Sequence, residues 1–408
     1  MRKIRIARGR RWLSRAIIGI SAAFLLLCGV YDRAIPDVIS VTCAAELGEG
    51  IGLPFVELSC ADIAALAHTE GESPVRSTDA QATVLGLPLK TVSVKLCDRI
   101  RLVPGGYPFG VRLSTDGVLV VGLSDSDGMR PAYDAGLRLG DLLMALNGSP
   151  IGSAEELTAA ISGCEGKRLS LTVERQGVSE PLTVELTPHW SEQDNAYKAG
   201  IWVRDSTAGI GTVTYVDPES GCFGGLGHGI CDVDTGVLMP LRSGSVCDVT
   251  LSGILAGKPG VPGELQGAFG RTRAGVLLKN TQVGVFGIFS DAPQANAGEA
   301  LPIALRGEVR EGEATLYATD GGDGVAQYTV RISSIDRSGQ DSKNFVVEVT
   351  DPALLALTGG IVQGMSGSPL IQNGHLIGAV THVLINDPTR GYGIFIENML
   401  AQTPQLSA

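Results

Sequence analysis

The chain has 408 residues, of which 44% are hydrophobic and 18% are charged, and its formal net charge is −11. This length predicts two or three domains, the apolar content excludes wholesale disorder, and the negative charge argues against a broad nucleic-acid-binding role. Glycine is abundant, at 55 residues, whereas aromatic residues make up only 5%. Many glycines between short apolar runs favour a mainly β chain with tight turns.

The N-terminal segment combines a basic head with an apolar run. Residues 1–15 contain seven Lys or Arg and no acidic residue, and residues 16–31 carry no charge. A basic head stays in the cytoplasm when an apolar segment enters a membrane. We therefore expect residues 1–33 to form a cytoplasmic head and a signal-anchor helix, which makes the chain single-pass in the cell membrane with its body outside the cytoplasm. The alternative is a cleaved signal peptide, although no clean cleavage site follows the run.

Residues 34–100 form a linker or N-terminal region with mixed patterns. Apolar and polar residues alternate from Thr83 to Leu96, which suggests strands or an extended linker. Two of the eight cysteines, Cys43 and Cys60, lie in this region. They can pair as a disulfide in an oxidising compartment or stay as buried thiols, and the sequence leaves both open.

Residues 101–190 carry a recognisable order of elements. A strand-like run is followed by the string A-G-L-x-x-G-D-x-L-x-x-x-N-G, which begins at Ala135. Ser153 then caps a helix whose apolar spacing includes Leu157 and Ile161. This order resembles a PDZ domain, in which a strand and a long helix flank a groove where a peptide adds as an extra strand.

The resemblance implies a loop that meets the carboxylate of the bound peptide. We place it at Tyr107–Val111, with Tyr107, Phe109, Gly110 and Val111 as the peptide-binding residues. Phe109-Gly110 stands where PDZ domains often have Gly-hydrophobic-Gly, so this chain departs from the family pattern. The expected ligand is a peptide, including a segment of the chain itself. The alternative is a PDZ-shaped spacer that binds nothing.

Residues 195–402 are rich in Gly, Val and Ile in runs of strand length, with weak helical periodicity. This pattern predicts an all-β barrel or sandwich. Within it, Gly364-Met-Ser-Gly-Ser-Pro369 places Ser366 in a glycine-bounded turn between two predicted strands. Such a turn admits a substrate carbonyl and directs the N–H groups of Gly364 and Ser366 at one point, as an oxyanion hole requires. The string resembles the G-x-S-G-G-P of chymotrypsin-like serine proteases.

A serine hydroxyl needs a base, and the chain has five histidines. His228 lies in a glycine-dense loop early in the β region, and a His-first, Ser-last order matches the same protease class. The second candidate is His382, 16 residues after Ser366. We favour His228 as the base and place Thr381 and His382 in the strand that pairs with substrate. The neighbouring residues are small or apolar, which argues against an acidic specificity pocket.

The acid that orients the base is left open by these patterns. Asp351 precedes Ser366 by 15 residues, but an Asp followed by Pro is also a strong helix start. The other candidates for the orienting acid also lie in the β region and are Asp232, Asp234, Asp248 and Asp291.

The stretch from Thr350 to Met399, with TGGIVQGMSGSP, GAVTHV and GYGIFIENML, closely resembles the stage IV sporulation protein B peptidases. The resemblance covers nearly the whole chain and is weakest at residues 34–95. It implies one membrane segment, a PDZ domain and a chymotrypsin-like double β-barrel, with His228 as base, Asp351 as orienter and Ser366 as nucleophile.

The resemblance also implies a biological role. The chain is expected to be a sporulation signalling serine endopeptidase in the intermembrane space around the forespore. It would cleave itself, with possible release from the membrane, and cut an extracytoplasmic segment of a membrane regulatory protein. That cut would activate a transcription checkpoint that depends on an intramembrane protease. No cofactor, metal or nucleic acid is expected.

Two other function classes compete with this interpretation. Cys222, His228, Cys231 and Cys247 have the spacing C-x5-H-x2-C-x15-C, and all four side chains can bind zinc. The first spacing is not a common zinc pattern, and a metal there would occupy the proposed base. The other class is a non-catalytic PDZ scaffold with a dead protease domain, against which the intact Ser366, His228 and Asp351 argue.

Overall fold

The computed structural model describes residues 22, 24–41, 55–59, 76–96, 99–290, 298–321 and 324–404. In this part the chain is mainly β, as predicted from its sequence. It divides into two compact units. The first consists of Met1–Ile100, Pro302–Arg310 and Ile335–Gln340, and the second of Arg101–Leu301, Glu311–Ser334 and Asp341–Ala408.

The first unit contains a four-stranded sheet in the order β1-β4-β3-β2. Its strands are β1 (Val38–Val41), β2 (Val56–Ser59), β3 (Arg76–Val84) and β4 (Leu87–Leu96). The alternation from Thr83 to Leu96 becomes the β3–β4 hairpin, in which Val84, Val92 and Val94 are buried. The strand interpretation of that stretch is confirmed. Cys43 and Cys60 lie outside the described residues.

The predicted signal-anchor run covers residues 16–31, of which residues 22 and 24–31 are described. They are helical, and the helix continues to residue 34. Among the described residues, no helix combines the length and the hydropathy that crossing a membrane requires.

The strands after residue 100 are numbered in chain order. The first nine are β5 (Arg101–Pro104), β6 (Pro108–Leu123), β7 (Leu142–Leu146), β8 (Ser149–Pro150), β9 (Leu169–Glu174), β10 (Leu182–Leu186), β11 (His189–Ser191), β12 (Ala196–Lys198) and β13 (Ile201–Val216). The others are β14 (Cys222–Gly225), β15 (Ser243–Leu255), β16 (Glu264–Thr281), β17 (Gly284–Phe289), β18 (Leu301–Pro302), β19 (Gly312–Thr319), β20 (Val325–Ser333), β21 (Phe345–Val349), β22 (Pro369–Gln372), β23 (His375–Leu384) and β24 (Asp387–Phe395). The helices are α1 (Pro131–Asp134), α2 (Ala154–Ser162), α3 (Pro352–Thr358) and α4 (Ile396–Leu400).

Two six-stranded barrels form the body of the second unit. The first runs β6-β15-β16-β17-β14-β13 and closes because β6 pairs with both β15 and β13. The second is the closed barrel β19-β20-β21-β24-β23-β22. Closure leaves no open sheet edge and buries one face of every strand. The predicted double β-barrel is therefore confirmed.

The PDZ module is inserted into the first barrel. β6 and β13 pair antiparallel from Pro108 opposite Thr212 to Leu123 opposite Ile201, so the two strands run from the barrel into the module. Residues 124–200 lie between them in the chain. The predicted boundary of the PDZ domain at residue 101 is therefore wrong, since β5 and the first half of β6 pair with barrel strands.

The predicted carboxylate loop at Tyr107–Val111 is also wrong. Phe109 and Val111 are each 2% exposed and belong to the barrel core with Phe223. Gly110 lies between them in β6, where an added Cβ would meet the Phe269 ring at 2.4 Å. Tyr107 packs against the same core. Their alternating apolar side chains belong to a barrel strand, and not to a loop that could meet the carboxylate of a PDZ ligand.

The PDZ module has a hydrophobic core of its own, which includes Leu143, Leu157 and Ile161. The Asp of its sequence motif, Asp141, is fully buried and is held by a bidentate ion pair with Arg175, at 2.7 Å for each oxygen. The carboxylate also accepts a hydrogen bond from the backbone N–H of Arg138. This explains why the motif needs an acid there, because a buried charge requires full pairing.

We expect Asp141→Asn to destabilise the PDZ module by about 2 kcal/mol, because it removes charge-assisted hydrogen bonds. Urea unfolding of the full chain measures this loss. Glu174→Gln is the control, because Glu174 is an exposed acid beside Arg175. Equal effects of the two substitutions would contradict a role for the buried pair.

Candidate active site

Ser366 lies on the turn that links α3 to β22, and two glycines shape this turn. Gly364 and Gly367 have φ angles of +96° and +97°, in the region that side chains with a Cβ rarely adopt. At Gly367 an added Cβ would lie 2.0 Å from the carbonyl oxygen of Thr212. The glycines flanking Ser366 are therefore required by the backbone itself.

The turn leaves two N–H groups available. The N–H groups of Met365, Gly367 and Ser368 each donate to a backbone carbonyl. In the described part of the chain, those of Gly364 and Ser366 have no acceptor. These are the two donors predicted for the oxyanion hole, and an available pair of N–H groups is what a developing oxyanion needs.

The hydroxyl of Ser366 donates a 2.6 Å hydrogen bond to the carbonyl oxygen of Thr381 on β23. Thr381 is itself fixed, because its own hydroxyl lies 2.8 Å from the Ser342 carbonyl oxygen and 3.2 Å from that of Tyr392. The serine proton therefore points at β23 in this arrangement. Attack on a substrate requires the hydroxyl to leave Thr381 and transfer its proton to a base.

His228 follows β14 on a tight loop, and its ring lines the same cavity as Ser366. Its Nδ1 lies 2.9 Å from the carbonyl oxygen of Gly229. A carbonyl only accepts, so Nδ1 carries the proton and Nε2 keeps a lone pair. Desolvation holds the pKa of His228 below its usual value, although the Gly229 hydrogen bond acts in the opposite sense. The imidazole is thus neutral and can act as a base.

His382 stacks near His228, with ring centroids 4.7 Å apart. Burial, helped by His228 and Lys343, lowers the pKa of His382 to about 4. Its Nδ1 is buried and has no hydrogen-bond partner in the described residues. Thr381 and His382 lie on β23 where the pairing with β24 shifts register, between Val380 and Val383. Their pairing with a substrate strand stays a prediction.

The structure does not bring Asp351 to His228. Asp351 caps α3, where Oδ1 accepts from the N–H of Ala353 at 2.9 Å and that of Leu354 at 3.4 Å. Its Oδ2 accepts from the N–H of Thr329 at 3.2 Å. These amides, Thr329 first, lower the pKa of Asp351. The orienting role implied by the family resemblance stays a prediction, and the partner of His228 Nδ1 in the structure is the Gly229 carbonyl.

Two of the alternative acids are committed elsewhere. Asp232 and Asp234 both pair with Arg204 of β13, and Asp232 also accepts from the backbone and hydroxyl of Thr235. Asp291 lies outside the described residues.

Three of the four residues of the zinc alternative face different partners. Cys222 and Cys247 are buried thiols directed at the carbonyls of Pro404 and Gly110, while His228 contacts Gly229. Across the described ranges, no three His, Cys, Asp or Glu side chains converge as a metal would require. The zinc hypothesis therefore has no geometric support from these residues.

The cavity that holds Ser366 and His228 has a volume of about 500 Å³. It is lined mainly by aliphatic and small residues, among them Ile210, Ile361 and Val383, and no Lys, Arg, Asp or Glu of the described residues contributes to it. An uncharged lining favours uncharged, apolar substrate side chains. This agrees with the sequence-based argument against an acidic pocket.

A second cavity, of about 340 Å³, lies in the PDZ module between α2 and the start of β13. Thr158 and Ile161 line it from the helix, and Lys198, Gly200 and Ile201 line it from the strand side. Gly200 has a φ of +68°, and an added Cβ would meet the Ser124 carbonyl oxygen at 2.2 Å. This groove was not predicted from the sequence, although the small-Gly-hydrophobic string Ala199-Gly200-Ile201 indicates it.

The depressed histidine pKa values predict how activity responds to acid. Each imidazole is neutral above its pKa, so a pKa below the ordinary value of about 6.5 keeps the base competent in mildly acidic solution. We expect labelling of Ser366 by a fluorophosphonate to lose rate only well below that pH. His375→Gln, at a histidine in a hairpin turn outside the cavity, should leave the profile unchanged. An acid limb at or above about pH 6.5 would contradict the assignment.

Comparison with known proteins identifies both parts of the second unit. The SpoIVB peptidase S55 family model matches residues 195–400, and the PDZ domain model matches residues 130–175. The putative zinc metalloprotease LL2128 of Lactococcus lactis subsp. lactis is 39% identical over 84 residues, which is 21% of this chain and 19% of that protein. The chain thus spans about a fifth of that relative's length.

Solved structures show more distant similarity. The active form of the Rv3671c protease from M. tuberculosis is 15% identical with a TM-score of 0.28, over 50% of this chain and 78% of that one. The PDZ domain of an SdrC-like protein from Listeria monocytogenes is 20% identical with a TM-score of 0.19, over 22% of this chain and 90% of that one.

The S55 model spans β13 to β24 and includes both His228 and Ser366. The chain therefore belongs to the SpoIVB peptidase S55 family and is a serine endopeptidase with a PDZ domain.

Proposed function

We propose that this chain is a sporulation signalling endopeptidase in which Ser366 is the nucleophile and His228 is the base. The observation that carries the proposal is that both side chains line one cavity, beside the two available N–H groups of Gly364 and Ser366. A nucleophile, a neutral imidazole and a pair of donors are the parts that acyl transfer requires.

The reaction proceeds in two halves. The Ser366 hydroxyl leaves the Thr381 carbonyl, gives its proton to Nε2 of His228 and attacks the scissile carbonyl carbon. The carbonyl oxygen gains negative charge and is stabilised by the N–H groups of Gly364 and Ser366. The imidazolium then protonates the leaving amine, which departs. Water, deprotonated by His228, attacks the acyl-enzyme and releases the acid product and the free serine.

The backbone supports His228 in this cycle. The Gly229 carbonyl accepts from Nδ1–H and fixes the tautomer that exposes the Nε2 lone pair. A carbonyl dipole stabilises the imidazolium less than a carboxylate does. The Ser366–His228 pair therefore receives weaker electrostatic stabilisation from Gly229 than a triad carboxylate would give.

The substrates we propose are the chain itself and an extracytoplasmic segment of a membrane regulatory protein. Cleavage of the latter would activate a transcription checkpoint that depends on an intramembrane protease. Family membership supports this role, and the uncharged cavity supports cleavage beside apolar side chains. We place the body of the chain outside the cytoplasm, in the intermembrane space around the forespore, with residues 1–33 as a membrane anchor. The seven basic residues ahead of the uncharged run support that orientation.

The PDZ ligand we propose is a peptide that binds between α2 and the start of β13. Lys198, Gly200 and Ile201 line that cavity opposite Ile161. A peptide can add there as a strand, with its end close to the turn at Gly200. A segment of the chain itself is one such peptide.

Ser366→Ala should abolish self-cleavage, because it removes the hydroxyl that lies beside the two available N–H groups of the turn. Intact-mass analysis of the purified full-length chain over time measures this. The matched control is Ser368→Ala: Ser368 is buried in the same turn, and its hydroxyl has no hydrogen-bond partner in the described residues. Self-cleavage that survives in Ser366→Ala would show that the nucleophile is misassigned.

If the mass of the wild-type chain does not change, the chain is either a dormant protease or a non-catalytic scaffold. Labelling by a fluorophosphonate separates these two, because the reagent reacts with an activated serine without needing a protein substrate. Absence of both self-cleavage and labelling would contradict the proposed function.

Asp351→Asn tests the third member of the triad. Asn caps helices about as well as Asp, so a residue whose carboxylate only accepts from backbone N–H groups should tolerate the change with less than about tenfold loss of rate. We expect that result from the contacts of Asp351. A loss near 10⁴-fold, of the size that removal of a triad carboxylate causes, would show that Asp351 acts on His228. Self-cleavage rate, with the melting temperature as a check on folding, distinguishes the two.

A further inference from the structure

We propose that Thr212 of β13 is a positioning residue that holds the oxyanion hole and the nucleophile in register with the base. The inference rests on the proposed function, because it assigns Thr212 a role in the reaction of Ser366. Thr212 lies outside the reacting groups and is 3% exposed.

Three hydrogen bonds join Thr212 to the site. Its hydroxyl donates to the carbonyl oxygen of Gly364 at 2.7 Å, and its backbone N–H donates to the carbonyl oxygen of Ser366 at 2.9 Å. Its own carbonyl accepts from the N–H of Leu226 at 3.2 Å. One residue therefore contacts both ends of the segment from Gly364 to Ser366 and the loop that carries His228.

The hydroxyl is needed because Gly364, like Gly367, is an adaptable residue of the turn. Without a Cβ, a glycine can rotate its peptide planes at little cost. The Gly364 carbonyl belongs to the peptide unit that lies between the two units carrying the N–H groups of Gly364 and Ser366, so rotation of this middle unit would misalign both donors. The bond from Thr212 to the Gly364 carbonyl fixes that peptide unit, so the two donors keep their orientation before substrate binds.

The carbonyl of Thr212 sets the other half of the site. It fixes Leu226, which has a φ of +66° and precedes His228 by two residues. The adjacent Gly227 contacts β23, where an added Cβ would lie 2.8 Å from the Thr381 side chain. The loop is thus held on both sides, and the N–H and C=O groups of Thr212 link the serine turn to the histidine loop.

Thr212→Val removes the hydroxyl and keeps the shape of the side chain and both backbone hydrogen bonds. We expect the maximal rate of phosphonylation of Ser366 by a fluorophosphonate to fall about 10²-fold, with little change in the concentration that gives half-maximal rate. The oxyanion hole acts on the phosphoryl oxygen in the transition state, so the loss should appear in the rate and not in reagent binding. The full-length chain is used throughout, and its melting temperature is measured for each variant.

Two further variants serve as controls for Thr212→Val. Thr214→Val removes an equally buried hydroxyl, which donates to the Gly367 carbonyl at 2.8 Å, beyond the two oxyanion donors. Thr214→Val should change the rate of phosphonylation less than about threefold, whereas misplacement of the reacting groups causes a much larger loss. Thr212→Ser keeps the hydroxyl and should retain most of the wild-type rate. If Thr212→Val fails to fold, the phosphonylation rate of Thr212→Ala is compared with that of Thr212→Ser instead.

Three results would overturn the inference: an unchanged rate in Thr212→Val, an equal loss in Thr214→Val, or a Thr212→Ser variant as slow as the valine variant. The last would show that the hydroxyl by itself does not hold the site in place. Failure of the proposed function looks different, because the wild-type chain would then not be labelled at Ser366 at all.

Discussion

The packing of the nucleophile turn against the backbone of β13 is the contact on which the site depends. At Gly367 the turn approaches the Thr212 carbonyl so closely that any larger residue would collide with it. The same strand closes the first barrel, and the turn leads into β22 of the second. The glycines around Ser366 are therefore the means by which two separately closed barrels bring a serine and a histidine into one cavity.

The same strand gives the PDZ module its place in the molecule. β6 leaves the first barrel, residues 124–200 follow, and β13 returns to it. The start of β13 lines the PDZ cavity, and its far end contacts the Ser366 turn. The peptide-binding module is thus an insertion in a barrel hairpin, joined to the catalytic unit by a paired ribbon instead of a single flexible linker.

Local patterns predicted the features that depend on neighbouring residues. The turn around Ser366 follows from glycine spacing, and the barrels follow from short apolar runs. The insertion was not predictable in this way, because the pairing of β6 with β13 joins segments far apart in the chain. Phe109 and Val111 resembled a PDZ loop because of the adjacent Gly110, yet their alternation serves the barrel core. Asp351 carries both a helix-start signal and a family role, and the structure shows only the first.

The central claim is that Ser366 is activated by His228. Peptide mapping by mass spectrometry after treatment of the full-length chain with a fluorophosphonate tests it most directly. The account predicts one adduct, on Ser366, that forms in the wild-type chain and is lost in His228→Ala. An adduct on another residue, or equal labelling of Ser366 without His228, would contradict it.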